Sequence, residues 1–398
     1  MNDRSWQEHD LSLTRGGPFY LTLIRLHLMR PDSYFVRRRA ILFVLITWFP
    51  LLLLSALQGL AFGGALRIPF LDDFPVSVRF FLALPLLIVA ESVVDSRVAL
   101  VVRYLTQSGL VQENDYPEYE SAVRQISRMC NSRLAEGLIA GIVILSAAFP
   151  NKLEFSGAIS TWQFTVSPLG AMRTAAGWWY VFVSLPLFQF LFYRWCWRYF
   201  IWCWFLWRIS RLDLQLIPTH PDLAAGLGCL GVAQTKFWII IFAISSVFSS
   251  HLAEEILFGG ASLAEYKVMF LIYILFIFVI FLGPLLVFTP KLFEAKKKGL
   301  LDYGALVNRY TRSFHRRWIK RKAHEVLEEE VLVESADIQL LTSLRGSFEL
   351  VHKMRFAPFD LVATVVPIVA SAAIPLAPLA LTVFPLEEII MKFLKIWV

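Results

Sequence analysis

Two pairs of like-charged residues, one acidic and one basic, interrupt long apolar stretches of the sequence. Glu91 and Asp95 are four residues apart, and so are Arg194 and Arg198, so each pair would share one face of a helix. Ionisable groups inside a membrane helix are costly and usually mark a pathway, unless they pair with each other. We therefore predict a charged layer that is either a structural ion-pair network or the wall of a water-filled vestibule in which Glu91 binds a cation or carries a proton. The predicted helices place three further residues in this layer: Lys236, Glu136 and Asp360.

A second group of ionisable residues lies at the end of an apolar stretch, in His251-Leu-Ala-Glu254-Glu255. Spacings of three and four place these side chains on one helix face, where they could bind a divalent cation or respond to pH. A solvated acidic helix end is the simpler interpretation, and we prefer it. The acidic pair Asp72-Asp73 receives the same interpretation.

The most distinctive loop is residues 212–231, with the sequence LDLQLIPTHPDLAAGLGCLG. Its glycines follow the GxGxxG spacing of dinucleotide-binding proteins, but no predicted strand precedes them, so a dinucleotide site is rejected. Pro218 and Pro221 stiffen the chain, and Asp222 is a good helix N-cap. The loop therefore predicts a compact helix start that either holds an anion or allows close helix packing. The residues of this candidate site are His220, Asp222, Gly226, Gly228 and Gly231.

The elements that must carry these residues are membrane-spanning helices. The sequence is 57% apolar and 17% charged, with a mean hydropathy of +0.59, whereas soluble domains are about 45–50% apolar and about 25% charged. Its apolar stretches are close to the roughly 20 residues that a helix needs to cross hydrocarbon. We predict an all-α, polytopic integral membrane helix bundle of about seven transmembrane helices. The predicted spans are 40–62, 78–102, 135–149, 176–206, 229–250, 266–289 and 358–384.

The distribution of basic residues predicts the orientation of these helices. The segments on the side of the amino terminus hold 27 Lys+Arg residues, against 4 on the opposite side and 2 in the carboxy-terminal tail. Because basic loops stay in the cytoplasm, we predict a multi-pass protein of the cell membrane, in a bacterial inner membrane, with a cytoplasmic amino terminus. The run Arg37-Arg38-Arg39 would hold the chain at the lipid headgroups. Three prolines in the last span leave open a re-entrant pair of half-helices.

The segments outside the spans are predicted to lie at the membrane surface or in the cytoplasm. Residues 18–30 and 386–398 have the apolar spacing of interfacial helices, and residues 150–175 alternate weakly, as in a hairpin. The predicted regions are a cytoplasmic and interfacial part (1–39), the first six spans (40–290), a basic cytoplasmic helical segment (291–357), and the seventh span with an interfacial helix (358–398).

The cytoplasmic segment begins with a strongly basic stretch. Residues 291–322 carry 11 Lys+Arg and 2 Asp+Glu, including Lys296-Lys297-Lys298. Such clusters beside a span contact anionic lipid headgroups. Residues 325–337 are acidic, so we predict that the segment folds back on itself as paired helices. No nucleic-acid-binding module is present, and we expect no nucleic-acid partner.

The functional hypothesis that these features favour is a channel or transporter for a small ion or solute, because charged and proline-broken spans form transport sites. The alternatives are a sensor or scaffold that recruits a partner through residues 291–357, and a membrane enzyme acting on lipid. No GxSxG, Walker or histidine-box motif supports the enzyme. We expect no cofactor, no metal and no disulfide, and a homo-oligomer is possible. The four cysteines are Cys130, Cys196, Cys203 and Cys229.

Overall fold

The computed structural model describes residues 12–30, 34–62, 68–148, 161–167, 170–320 and 335–382. Within these ranges the chain is almost entirely helical, and seven helical stretches are long and apolar enough to cross a membrane. The prediction of an all-α membrane bundle is therefore confirmed. The spans are span 1 (Val36–Leu57), span 2 (Phe74–Gln107), span 3 (Glu113–Ala148), span 4 (Ala175–Ile209), span 5 (Gly228–Gly259), span 6 (Leu263–Phe314) and span 7 (Leu361–Leu379).

The α-helices follow in chain order, and several spans contain more than one. They are α1 (Gly17–Arg25), α2 (Val36–Thr47), α3 (Phe49–Leu57), α4 (Phe74–Ser77), α5 (Leu84–Gln107), α6 (Tyr116–Cys130), α7 (Arg133–Ala148), α8 (Ala175–Trp179), α9 (Leu185–Ile209), α10 (Gly228–Thr235), α11 (Trp238–Gly259), α12 (Lys267–Leu282), α13 (Thr289–Phe314), α14 (Ser335–Lys353) and α15 (Val366–Ala373). Strands β1 (Phe164–Ser167) and β2 (Gly170–Arg173) pair antiparallel, with Phe164 opposite Arg173. They confirm the predicted hairpin over the part that is described.

Spans 2 and 5 lie at the centre of the bundle. In the most apolar window of span 5, 61% of the residues are buried, and in span 2 the share is 50%, against 22% in spans 1, 6 and 7. Span 5 packs between spans 2 and 7, and span 4 packs against spans 2, 3 and 6. Five charged residues of spans 2 and 4 are buried and therefore face protein rather than lipid: Arg79, Glu91, Asp95, Arg194 and Arg198. We call the membrane side that carries the amino terminus the N-side, and the opposite one the far side.

Proline breaks span 1 between α2 and α3, and span 4 compensates for the lost hydrogen bonds. Pro50 has no N–H to donate to the carbonyl of Ile46 four residues earlier. That carbonyl accepts instead from Trp179 Nε1 at 3.1 Å, and the neighbouring carbonyl of Thr47 accepts from Ser184 Oγ at 2.7 Å. Hydrogen bonds from another span are the usual way in which a broken membrane helix is tolerated.

Span 6 contains a similar break after α12. Pro284 frees the carbonyl of Ile280, which accepts from Tyr199 Oη at 2.8 Å, and Phe281 O accepts from Gln234 Nε2 at 2.5 Å. Gln234 is fully buried in span 5, so an amide that is costly in hydrocarbon here satisfies a broken neighbouring helix. Three spans are thus joined by polar contacts at this depth.

Spans 2, 4 and 7 each contain a π-helical turn just before a proline. In spans 2 and 4 the turn leads into the same Leu-Pro-Leu sequence, at 84–86 and 185–187. A π-turn shifts the hydrogen-bond register where proline would otherwise leave a carbonyl unpaired, and such turns are frequent at functional sites. Span 7 continues beyond its turn as α-helix and then as 3-10 helix to Thr382, the last described residue. The turns are Val78–Ala83, Tyr180–Ser184 and Leu361–Val365.

The amino-terminal segment enters the bundle instead of only lying on its surface. Helix α1, which we predicted as interfacial, packs against α7 and buries Leu23. The residues before it go deeper, because Leu13 and Thr14 are each only 1% exposed. The predicted carboxy-terminal interfacial helix, residues 386–398, lies outside the described residues.

Span 6 is too long for a membrane, so its second half must project on the N-side. Its 52 residues would extend about 78 Å at about 1.5 Å per residue, against a hydrocarbon core of about 30 Å. The projecting helix α13 packs along α14, which agrees with the predicted pairing of helices in residues 291–357. Residues 321–334, which include most of the acidic run, lie outside the described residues.

Candidate functional site: two charge clusters

Four of the spans contribute to a charge cluster in the N-side half of the bundle. We call Arg39, Glu91, Glu136, Arg194 and Arg198 the N-side cluster; each side chain is at most 8% exposed. Glu91 is at its centre, with Oε2 2.7 Å from Arg39 Nη1 and Oε1 3.1 Å from Nη1 of both Arg194 and Arg198. Arg194 Nε also donates to Glu136 Oε1 at 3.1 Å. The structure thus brings Glu91 into contact with both arginines of the predicted basic pair, whereas among the described residues Asp95 makes no ion pair with them.

Arg39 was not among the predicted site residues. We expected it, with the two arginines before it, to hold the chain at the headgroups, and its complete burial shows that this expectation is wrong for Arg39. It shares the buried face of α2 with Phe43 and Thr47, at spacings of four. Although its Nη1 lies within ion-pair distance of Glu91, none of its three nitrogens makes an aligned hydrogen bond with a described residue. Its attraction to Glu91 is therefore mainly the Coulomb attraction of two close charges.

Asp95 lies one helical turn beyond Glu91 and is held by hydroxyl and backbone donors. Its Oδ2 accepts from Ser12 Oγ at 2.7 Å and from Tyr34 Oη at 2.5 Å, and its Oδ1 accepts from Thr14 N at 3.1 Å. Burial and the nearby charge of Asp95 raise the pKa of Tyr34 to about 12, so the phenol stays protonated and able to donate. The guanidinium of Arg15 lies 4.9 Å above the Tyr34 ring.

The amino-terminal segment supplies the remaining partners of the N-side cluster through its main chain. Arg198 Nη2 donates to Thr14 O at 2.7 Å, and Arg194 Nη2 lies 3.4 Å from the carbonyl oxygens of Thr14 and Gly16. Glu136 Oε2 accepts from Phe19 N at 2.8 Å. Residues that the sequence suggested were unrelated to the charged layer therefore cover it on the N-side.

Two residues predicted for the charged layer lie elsewhere. Lys236 is half-buried in span 5, and among the described residues no ion pair joins it to the N-side cluster. Asp360 caps the start of span 7, where its Oδ1 accepts from Val362 N and Ala363 N. The backbone N–H of Ala363 is the main cause that holds the pKa of Asp360 below its ordinary value, and Arg355 pairs with it at 3.0 Å.

A second, partly buried polar cluster lies at the far-side end of span 2. Its His251 side chain is 50% exposed, in agreement with the solvated helix end that we preferred, and its Glu254 side chain is 29% exposed. We call Asp73, Arg79, Tyr180, His251 and Glu254 the far-side cluster. Arg79 donates to the Tyr180 hydroxyl, and its Nη2 lies 2.7 Å from His251 Nε2. Because a guanidinium can only donate, Nε2 must accept, which places the imidazole proton on Nδ1. That atom lies 4.0 Å from Glu254 Oε2.

Asp73 is buried, so the expectation of a solvated carboxylate is wrong for this residue. It is 5% exposed, and its oxygens accept from Trp162 Nε1 at 2.8 Å and Val76 N at 2.9 Å. Burial raises the pKa of Asp73 despite these hydrogen bonds. Asp72 is exposed, as predicted. Glu255 is separate from the cluster and accepts from the Tyr266 hydroxyl at 2.6 Å.

An apolar layer separates the two clusters along span 2. Arg79 and Glu91 are 12 residues apart, about 18 Å along a helix axis. The inward-facing residues between them are at most 1% exposed: Phe80, Ala83, Leu84, Leu87 and Ile88. We call these five residues the apolar seal. Within the described residues, no group of three or more His, Cys, Asp and Glu side chains is placed to hold a metal ion.

The loop at residues 212–231 forms a tight turn around the Asp222 carboxylate. Its oxygens accept from the backbone N–H groups of Ala224 at 2.8 Å, Gly226 at 3.1 Å and Gly228 at 2.8 Å. Burial opposes ionisation, but these three N–H groups outweigh it and lower the pKa of Asp222. The carboxylate thus occupies the donors that we considered for an external anion. His220 Nδ1 lies 2.8 Å from its Oδ1.

The same loop is joined to the segment that precedes span 7. Arg355 Nη2 donates to Asp222 O at 2.6 Å, and Arg355 N donates to Leu223 O at 2.7 Å. A Cβ atom at Gly231 would lie 2.5 Å from the carbonyl oxygen of Pro358. Gly231 therefore allows the close helix packing that was one of our two interpretations of the glycines.

Several residues of the candidate site could not be identified from sequence because they are isolated. Arg79 and Tyr180 have no charged neighbour at helical spacing, and Ser12 and Thr14 lie in a polar segment without any motif. The four-residue spacing of Arg39, Phe43 and Thr47 was a usable signal for Arg39. No protein-family model, no curated protein and no solved structure matches this chain.

Proposed function

We propose that this membrane protein is a gated channel or transporter for a small ion or solute, and that the N-side and far-side clusters are the two ends of its pathway. The observation that carries the proposal is the presence of two polar clusters around one central helix, one fully and one partly buried, with an apolar seal between them. This arrangement corresponds to a pathway in its closed state.

The burial of charge inside the bundle supports the proposal. Five ionisable groups on spans 1 to 4 meet in the N-side cluster, although apolar residues of similar volume would pack there at lower cost. Intramembrane charges that face the bundle interior are by default functional in membrane proteins. The buried Asp73 and Arg79 extend this argument to the other end of span 2.

The helix irregularities supply positions at which the closed pathway can open. The π-turns of spans 2 and 4 lie at the far-side end of the apolar seal, directly before Pro85 and Pro186. Opening therefore requires only local changes of hydrogen-bond register in helices whose regular bonding is already interrupted. The opposite interpretation, a rigid ion-pair scaffold, has no need of irregular helices beside the seal.

Ion or solute flux into liposomes tests the proposal. Purified protein is reconstituted and assayed with a panel of monovalent cations, anions and protons, alongside Glu91→Gln and Arg194→Gln. A barrier change of about 1.4 kcal/mol alters a rate tenfold, and loss of a buried charge partner exceeds that value. We expect a change in flux or selectivity of at least about tenfold for both variants. The matched control is Glu120→Gln, which alters an exposed ion pair with Arg124.

Two results would contradict the proposal. One is the absence of flux above empty liposomes for every member of the panel, including a proton-coupled arm. The other is a measurable flux that is the same in wild type, Glu91→Gln and Arg194→Gln, since the clusters would then be structural only.

We also infer that the N-side faces the cytoplasm, as the excess of basic residues on that side indicates. In a bacterial inner membrane, Lys297 and Lys298, both exposed at the start of α13, would contact anionic headgroups. A Leu26→Cys variant in a cysteine-free background checks the orientation. An impermeant maleimide should label this exposed position in inverted vesicles and not in spheroplasts.

A second candidate function is recruitment of a partner by the projecting hairpin of α13 and α14. Leu301 and Leu306 on α13 and Leu340 on α14 are 47–68% exposed although they project beyond the membrane, which favours a protein contact there. Co-purification of a defined partner with the full chain, lost in Leu301→Asp, would support this role. A membrane enzyme acting on lipid was our remaining hypothesis, and no arrangement of the described residues favours it.

A further inference from the structure

The polar segment Ser12–Gly17, which we call the plug segment, lies inside the N-side half of the bundle. Leu13 and Thr14 are each 1% exposed, and Gly16 and Gly17 are also buried. A short stretch of non-helical backbone at such a depth needs hydrogen-bond partners for its N–H and C=O groups. Those partners are the charged residues of spans 2 and 4.

Side chains of spans 2 and 4 bind the main chain of the plug segment both as donors and as acceptors of hydrogen bonds. Arg194 and Arg198 donate to carbonyl oxygens of the segment, and Asp95 accepts from the N–H of Thr14 and from the Ser12 hydroxyl. Arginine and carboxylate side chains thus make charge-assisted hydrogen bonds to peptide groups. The surface that holds the plug segment is therefore polar, and water could take the place of the segment when the segment leaves.

Two glycines allow the chain to pass close to the cluster. Gly16 and Gly17 have φ values of +146° and +85°, which L side chains rarely adopt. A Cβ atom would lie 2.5 Å from Asn131 Oδ1 at Gly16, and 2.5 Å from Glu136 Oε1 at Gly17. This close passage fixes the segment against span 3 as well as spans 2 and 4.

We infer that the plug segment is an autoinhibitory plug, which closes the N-side end of the pathway by occupying Arg194, Arg198 and Asp95. This inference rests on the proposed function, because it specifies how that pathway is regulated. Withdrawal of the segment exposes these three side chains to the N-side solution and leaves the apolar seal as the remaining barrier.

Asp95 is the residue that would repel a negative charge introduced into the plug segment. The groups facing it are Ser12, Thr14 and Tyr34, with Arg15 close by. A carboxylate placed at position 12 would face Asp95 across a hydrogen-bond distance, and two like charges at that separation repel strongly when partly buried. Ser12→Asp should therefore expel the segment, whereas its neutral isostere Ser12→Asn should keep it seated.

Cysteine labelling tests the position of the segment without any assay of transport. In the full chain with its four cysteines replaced, Thr14→Cys keeps the main-chain contacts and places a thiol at a site that is 1% exposed. A water-soluble maleimide should label it at least about tenfold more slowly than Leu26→Cys, because labelling needs local opening of a packed segment. Adding Ser12→Asp should remove this protection, and adding Ser12→Asn should retain it.

Flux measurements on the same variants test whether the segment is a gate. Ser12→Asp and a deletion of residues 2–17 should each raise flux at least about tenfold over wild type and Ser12→Asn, since release of several charge-assisted contacts shifts an equilibrium by that amount or more. Should the deletion fail to fold, Ser12→Asp with its isosteric control still decides the question.

The two assays separate failure of the plug from failure of the proposed function. Thr14→Cys labelled as fast as Leu26→Cys shows that the segment is not seated, and the inference is overturned. Normal protection and release, with a wild-type flux that Ser12→Asp leaves unchanged, overturns the gating role alone. Normal protection and release with no flux in any variant overturns the proposed function, and the gating role with it.

Discussion

Replacing Glu91 by Gln removes the carboxylate on which three guanidinium groups converge. Arg39, Arg194 and Arg198 lie 2.7, 3.1 and 3.1 Å from its oxygens, and none of these four side chains is more than 4% exposed. In the variant, three buried cations face one remaining carboxylate of the cluster, Glu136. Removing one partner of a buried ion pair costs about 3–5 kcal/mol, because the other charge stays buried without compensation. We expect the free energy of unfolding to fall by that amount.

The same substitution at an exposed pair provides a matched control. Arg124 and Glu120 also lie 3.1 Å apart, but their side chains are 54% and 42% exposed. Exposed ion pairs contribute about 0–1 kcal/mol, because water solvates both charges when the pair is broken. Glu120→Gln should therefore change the free energy of unfolding by less than about 1 kcal/mol. The difference between the two variants measures the effect of burial alone.

A second substitution identifies which arginine is left uncompensated. Arg39 makes no aligned hydrogen bond with a described residue, so Arg39→Met in the Glu91→Gln background removes a buried charge and little else. We expect it to recover about 1–3 kcal/mol, the range of coupling between residues in one network. Arg194→Met should recover less, because Arg194 also holds Glu136.

Unfolding of the purified protein in detergent, titrated with sodium dodecyl sulfate and followed by tryptophan fluorescence, measures these free energies. The reasoning is refuted if Glu91→Gln and Glu120→Gln shift the transition equally. Water would then already reach Glu91, and the N-side cluster would belong to a hydrated vestibule rather than to a closed bundle.

The same assay checks three further predictions. Arg79→Gln should cost about 1–3 kcal/mol, since it leaves buried hydrogen-bonding partners unsatisfied, whereas the exposed Arg128→Gln should change little. Gly231→Ala should cost about 1–3 kcal/mol because its Cβ would meet a backbone carbonyl, while Gly141→Ala, whose Cβ meets open space, should be neutral or stabilising by up to about 1 kcal/mol. Asp222 has a lowered folded pKa, so the unfolded chain binds more protons in acid; thermal stability should fall as the pH drops below about 4, and Asp222→Asn should weaken that dependence.

Hydropathy was sufficient to predict the number of spans and the common level of Glu91 and Arg194. Each span needs only a long apolar stretch, and depth follows from counting residues at a fixed rise per residue. That count placed Glu91 at the same level as Arg194, where the structure has them in contact. It failed for Lys236, because equal depth does not determine which way a side chain points around a helix.

The buried position of the amino-terminal segment could not be predicted from any local pattern in the sequence. Ser12 and Thr14 are ordinary polar residues, and their contacts with Asp95 span more than 80 positions of sequence. Their burial depends on charged side chains of spans 2 and 4 that form hydrogen bonds with their main-chain groups. Helix propensity and hydrophobic periodicity carry no information about such distant partners. The burial of Asp73 was not predicted for a similar reason, because its partner Trp162 lies 89 residues away in the sequence.

The chemistry of the plug segment suits a reversible gate better than a permanent support. An apolar segment in this position would gain free energy from burial itself, and its release would expose hydrocarbon to water. The plug segment buries one apolar side chain, Leu13. Otherwise it exchanges peptide hydrogen bonds with Arg198 and Asp95 for hydrogen bonds with water, and such an exchange has a small net free energy. The charged side chains that bind the plug segment also lose little free energy when the segment leaves, because ionised side chains are well solvated on the N-side. A polar plug on a charged seat can therefore have closed and open states that lie close in free energy, so that one added charge at Ser12 decides between them.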